Sequence, residues 1–253
     1  MIVQSVKRAT DIISLFSSSQ PALGITQIAG LLGLNKATTW GLVTTLEQQG
    51  FLQQNQETQK YGVGSKLFEL GMVYAGNLEI NAKASRQVHA LANRTGLNAR
   101  IGIWDHGSVL ITLLALPKAE DSLSQQIGPR VPAYCSAIGK ALLAFLEPDE
   151  MELYLRETEL VRHTRSTIVT ARELLEDLEQ TRVRGYSISR EEMIPGLVAL
   201  GAPVFGRSKR VVGAISISDP PGILTDEQLE RLGDELLRTA AEISQKMGFY
   251  KTM

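Results

Sequence analysis

At 253 residues, with 43% hydrophobic and 21% charged residues and a formal net charge of -1, the chain is long enough for two domains and has the composition of a core-forming protein. These values exclude a disordered, collagen-like or low-complexity protein, and a chain coated in basic residues for indiscriminate nucleic-acid binding. With Cys135 as its single cysteine, the chain has no internal disulfide, CxxC redox pair or cysteine-built zinc site available to it.

A run of about 18 uncharged apolar residues, the mark of a membrane span, is absent, and the start MIVQSVKRATDII does not read as a secretory signal. A cytoplasmic protein with no membrane partner is expected. Charge is nearly even along the chain, with an excess of one cation in residues 1–75 and of two anions in the rest. Such a balance permits a DNA-binding face without demanding one, because only the contacting surface has to be favourable.

In chain order, Ser5 is the expected cap of a first helix carrying Val6, Ala9, Ile12, Ile13 and Phe16 at spacings of three and four. After the turn-forming stretch SSSQPALG, Thr26 is read as the cap of a short second helix with Ile28, Ala29, Leu31 and Leu32, stopped by Gly33. Asn35 then caps a third helix from Lys36 to about Gln49, with Leu42, Val43 and Leu46 turned inward. Two short strands follow at Phe51-Leu52 and Tyr61-Val63, joined by a polar tip from Asn55 to Lys60. Three helices and a hairpin in this order predict a winged helix-turn-helix over residues 1–64.

Residues 65–76 and 79–94 carry helical spacing, and 65–79 is read as a helical linker. Beyond Gly96 the pattern changes to strands in NARIGIW and SVLITLLAL, then at Leu123 to Ile127. A helix opens at Ser136 and runs to Leu146, ended by Glu147-Pro148, and two more follow near 149–156 and 171–183. Strands recur in GYSISR, LVALGAPVF and RVVGAISISD before a last helix capped by Thr225. The fold class is therefore α+β, with a second domain over 80–253 and no internal repeat.

In a winged helix-turn-helix the start of the third helix faces the major groove. Asn35, Lys36, Thr38 and Thr39 supply short hydrogen-bonding groups and a cation there, and Trp40 an apolar contact, with Thr26 at the start of the second helix and Lys60 beside the wing tip. An ordinary polar helix start and a solvated loop explain the same residues, and spacing alone does not separate the two readings.

The blocks QSVKRATDIISLF, LGLNKATTWGLVTTLEQQGFL, KYGVGSKLFELG, VPAYCSAIGKALLAFL, GYSISREEMIPGLVALGAPVF and VVGAISIS, in this order over about 210 residues, resemble the isocitrate-lyase-regulator (IclR) family of bacterial transcription factors. The resemblance implies an N-terminal winged helix-turn-helix, a linker helix that helps dimerisation, and a C-terminal effector-binding domain with a GAF-like fold built on an antiparallel sheet. It implies a homo-oligomer, dimer or tetramer, that reads a palindromic double-stranded DNA operator and answers to a small-molecule effector. It places the effector pocket at Leu123, Val131, Ala137, Ile138, Ser189, Leu197, Ala199, Ser216 and Ser218, with Ser136 opening a helix whose amides would attract an organic acid anion.

Three positions depart from the family pattern. Ser189-Arg190 stand where an aspartate precedes the Glu-Glu pair, Ala199 replaces a cysteine, and Trp40-Gly41 replace a pair such as His-Arg in the recognition helix. A guanidinium at Arg190 favours anionic ligands if it points inward.

No catalytic residue, cofactor or metal is expected. Cys135 with His106 or His163 lacks an orienting third group, Glu191 and Glu192 on a strand end point to opposite faces, and His89, His106 and His163 have no metal-ligand spacing. Glycines 62, 64, 196 and 201 match no phosphate-binding loop. The competing reading is a GAF-like sensor that acts through a protein partner without binding DNA, for which Gly41 in the recognition helix is the motive.

Overall fold

A computed structural model describes residues 2–117, 129–219 and 226–250, and the chain divides into two compact units, Met1–Asn77 and Leu78–Met253. In the first unit, α1 (Gln4–Ser14) begins one residue before the expected cap, so that Ser5 lies inside the helix and the Lys7 amide bonds the Val3 carbonyl at 3.0 Å. Gly24, not Thr26, precedes α2 (Ile25–Leu32), and the Gln27 side chain reaches back to accept from the Gly24 amide at 2.9 Å. Glutamine three residues after the cap does here what the hydroxyl of Thr26 was expected to do.

The turn between α2 and α3 (Lys36–Gln48) closes as the sequence predicts. Gly33 takes φ +62, a conformation that disfavours a Cβ, and Asn35 Oδ1 accepts from the Thr38 amide at 2.8 Å. Strands β1 (Leu52–Gln54) and β2 (Tyr61–Val63) pair antiparallel, and Leu23 bonds Tyr61 through both backbone groups at 2.8 and 2.9 Å. Ile12, Leu23, Ile28, Val43, Leu46, Leu52 and Tyr61 form the core of this unit, each large aliphatic side chain contributing roughly 1.5–3 kcal/mol by leaving water. Helix α4 (Ser65–Asn77) buries none of its residues.

In the second unit α5 (Glu79–Thr95) leads into β3 (Asn98–Asp105) and β4 (Ser108–Ala115). Next come β5 (Arg130–Pro132), α6 (Ala137–Leu143), α7 (Pro148–Glu157) and α8 (Ala171–Arg184), then β6 (Ser187–Arg190), β7 (Val198–Phe205), β8 (Val211–Asp219) and α9 (Asp226–Lys246). The strands form one antiparallel sheet in the order β5-β4-β3-β8-β7-β6. Strand β5 is not apparent in the sequence, because three residues around a proline are too few to show alternation.

Helix α6 stops at Leu143, three residues short of expectation, where Phe145 and Leu146 bond back three residues rather than four. Glu147-Pro148 starts α7 rather than merely ending α6, since proline at the first helical position sacrifices no bond. The expected strand at 123–127 and the cap Thr225 lie outside the described residues.

Register decides what each face of the sheet carries. Ala99 and Ile101 of β3, Ile215 and Ile217 of β8, and Leu200, Ala202 and Val204 of β7 share one face and form one cluster with α5 and α9. The alternate residues face α6. There Gly201 admits the start of that helix so closely that a Cβ would sit 2.4 Å from the Ala137 carbonyl oxygen. Two serines of β6 hold the same segment, Ser187 Oγ donating to the Ala137 carbonyl at 2.5 Å and Ser189 Oγ to that of Cys135 at 3.2 Å. Among the described residues no helix is long and apolar enough to cross a membrane.

Candidate functional site

Helix α3 has one buried and one open side. Val43 and Leu46 enter the core, and Thr39 joins them: it is fully buried and its hydroxyl donates to the Asn35 carbonyl at 3.0 Å. Thr39 therefore drops out of the expected DNA-facing set, because position 39 lies on the same side of the helix as Val43 and Leu46. Lys36 and Trp40, four residues apart, remain open on one side, with Trp40 59% exposed. Thr38 is half-buried, and Asn35, though exposed, has its side-chain oxygen committed to the cap. Thr26 and Lys60 are both exposed. The wing tip is an ordered turn in which Asn55 Oδ1 accepts from the amides of Glu57 and Thr58 at 3.0 and 2.9 Å.

In the second unit the α6-facing side of the sheet does not close. A cleft of about 450 Å³, counting its open mouth, lies between β3, β8, β7, β6 and the start of α6. Val131, Ser136, Ala137, Ile138, Ser189, Leu197, Ala199, Ser216 and Ser218 all line it; Leu123, the tenth residue expected there, lies outside the described residues. Arg100, Ile111, Cys135, Met193 and Ile194 complete the lining. Arg100 had a sequence signal, a cation between the apolar residues Ala99 and Ile101 of a buried strand. The others become neighbours only through the fold.

Most of the serines in this wall are already occupied. Ser136 Oγ donates to the Pro132 carbonyl at 2.6 Å and accepts from the Gly139 amide at 3.2 Å, Ser189 is bonded to Cys135, and Ser218 Oγ accepts from Arg100 Nη1 at 2.7 Å. The positive charge of the cleft is the guanidinium of Arg100, 5% exposed, whose pKa burial lowers to about 10, so that it is protonated at neutral pH. Arg190, the guanidinium considered from the sequence, is exposed and does not line the cleft. Helix α6 is only seven residues long, so Arg100 rather than its N-terminus is the main attraction for an anion.

Next to the cleft, the ammonium of the fully buried Lys140 sits 2.6 Å from Glu192 Oε1 and 3.1 Å from Asp177 Oδ2, tying α6 to α8 and to the loop after β6. Burial raises the carboxyl pKa of Glu192 and Lys140 opposes that rise. Glu191 turns the other way and accepts from the Gly196 amide at 2.8 Å, so the two glutamates are structural.

Cys135 is buried, with its thiol pushed up to about 12 chiefly by burial. His163 bonds the Tyr134 hydroxyl at 3.0 Å and His106 is 91% exposed, so neither imidazole serves that thiol. Among the described residues no group of three His, Cys, Asp or Glu side chains is placed to hold a metal ion.

Residues 72–245 match the family described as bacterial transcriptional regulator IclR C-terminal, and residues 5–56 match the IclR helix-turn-helix domain. The HTH-type transcriptional regulator XynR of Escherichia coli K12 is 33% identical over 98% of both chains. The transcriptional repressor IclR of the same organism is 30% identical over 97% of this chain and 90% of its own. A crystal structure of an IclR transcriptional regulator from Alicyclobacillus acidocaldarius superposes with a TM-score of 0.85 at 27% identity, covering 98% of this chain and all of that one. These relatives are regulators rather than enzymes, and the chain belongs to the IclR family of bacterial transcriptional regulators.

Proposed function

We propose that the chain is a cytoplasmic repressor of a metabolic operon that binds a palindromic DNA operator as a homodimer or homotetramer and is released or retained by a small organic acid in the second unit. The observation that carries the DNA half is the open start of α3. Lys36 and Trp40 face solvent from a helix whose other side is locked into the core through Thr39, Val43 and Leu46. Thr26, Thr38 and Lys60 are assigned to the flanking backbone contacts, and Asn35 to positioning the helix. Residues 65–79 take the linker role, supported by the exposed apolar side chains of Phe68, Met72 and Val73 on α4, which suit a contact between copies. The effector half rests on the nine described pocket residues meeting around one cleft.

Capture of genomic DNA fragments by the full-length protein at moderate salt tests this reading. Enrichment of a few sites sharing a palindrome is the expected result, and Lys36→Ala weakens binding to them by about 1–3 kcal/mol at matched salt. A folded oligomer that enriches no site overturns the DNA half in favour of a sensor acting on a protein partner.

A further inference from the structure

We propose that Arg100 is the carboxylate anchor of the cleft and that the effector is a monocarboxylate with an apolar body. The inference rests on the cleft being the effector site and narrows which effector it takes.

Among the described residues of the second unit two cations are buried, and the chain treats them differently. Lys140, fully buried, is met by two carboxylates. Arg100, 5% exposed, is met by one serine hydroxyl through Nη1, while its Nη2 is buried with no hydrogen-bond partner among the described residues. No described carboxylate pairs with it. A buried charge left uncompensated is costly, and arginine's planar fork matches a carboxylate through two parallel bonds. The cost at Arg100 is borne beside a cleft, where a ligand's carboxylate would occupy Nη2 and remove it. Lys140 has no cleft to serve and is neutralised from within.

The remainder of the lining sets the body of the ligand. Among the described residues lining the cleft Arg100 is the one that is charged, so a second anionic group on the ligand would find no partner among them. Ile111, Val131, Ile138, Met193 and Leu197 offer apolar contact, and with Ser136, Ser189 and Ser218 already engaged and Ser216 the main hydroxyl left open, a polyhydroxylated acid would leave most of its own hydroxyls unpaired.

Calorimetry and thermal shift on the full-length protein, with benzoate, phenylacetate, isovalerate and cyclohexanecarboxylate as probes and benzamide and phthalate as controls, test the proposal. At least one monocarboxylate binds the unaltered protein, and benzamide and phthalate bind more weakly by about tenfold or more. Arg100→Met reduces affinity for that acid by about 10- to 100-fold, the worth of hydrogen bonds to a charged group, and Arg100→Lys restores part of it. Without ligand, Arg100→Met melts no lower than the unaltered protein, because it removes an uncompensated charge. Equal binding of acid and amide, which needs no variant, or undiminished binding by Arg100→Met, overturns the proposal, as does failure of all four acids to bind. Since none of these readouts involves DNA, an operator released by a dianionic organic acid would leave the proposed function standing while this inference falls, and loss of operator binding would do the reverse.

Discussion

On the side of the sheet that meets α5 and α9, strands β3, β8 and β7 present Ala99, Ile101, Ile215, Ile217, Leu200, Ala202 and Val204; on the other, the same strands present Asn98, Arg100, Ser216, Ser218, Ala199 and Gly201. Both sets come from the same strands in alternation, so the difference is a single register applied across three strands. The strand residues of the first side are all apolar and close into a continuous core with α5 and α9. The second is made of small and polar residues that cannot fill the space below α6, and a cleft with one buried guanidinium is left. One face supplies stability to the unit, and the other is free to be shaped for a ligand.

Substitutions on the two faces test this division. The largest effect is expected beside the cleft, where Lys140→Ala leaves the buried Glu192 and the half-buried Asp177 without their cation and costs about 3–5 kcal/mol in urea unfolding. A loss under about 1 kcal/mol would mean that the triad is wet and structurally idle. On the closed face, Ile215→Ala removes a fully buried side chain and costs about 2–5 kcal/mol, with the effector response unchanged at a temperature where the protein stays folded.

Ser216→Leu, on the open face, projects into the cleft and costs about 1–3 kcal/mol or less, because there is space to receive it. It abolishes the effector response and leaves basal operator binding intact; a normal response would place the effector elsewhere.

The smallest effect concerns Cys135, whose thiol burial holds neutral up to about pH 12. Iodoacetamide labelling of the folded protein therefore lacks the usual rise between about pH 8 and 9.5, and appears on unfolding. The sign for stability follows from the raised value: above about pH 9 the unfolded chain gives up its thiol proton first, so this residue lowers stability as pH rises toward 12. Rapid labelling of the folded protein at neutral pH would show that the wall of the cleft opens.

The sequence made much of this legible, and the failures are local in origin. Asn35 and Ser136 cap their helices as expected, because a cap is decided by a side chain and an amide three residues away. Ser5 and Thr26 resemble caps equally well, yet neighbouring backbone and Gln27 take that role, a choice between adjacent residues that composition does not make. Thr39 has the chemistry of the exposed residues of the recognition helix, but its position four before Val43 places it inward. Arg190 and Arg100 show the same limit at longer range. Both sit at strand positions with guanidinium chemistry, but the register turns Arg100 toward α6, where it is buried, and places Arg190 at the end of β6 on the side away from Ser189, where it is exposed.

The sequence by itself determined nearly all of the order of elements and the winged helix-turn-helix, because helix and strand periods, caps and turn glycines act within a few residues of each other, while its resemblance to the IclR family supplied the nine residues that line the cleft. The tertiary structure decided which of two buried cations is neutralised, which serines are already spent, and that the free charge of the cleft belongs to Arg100. Those are properties of groups brought together across sequence separations of up to 118 residues, as Arg100 and Ser218 are. The desolvation that gives them their chemistry exists only once the sheet and α6 have closed around them.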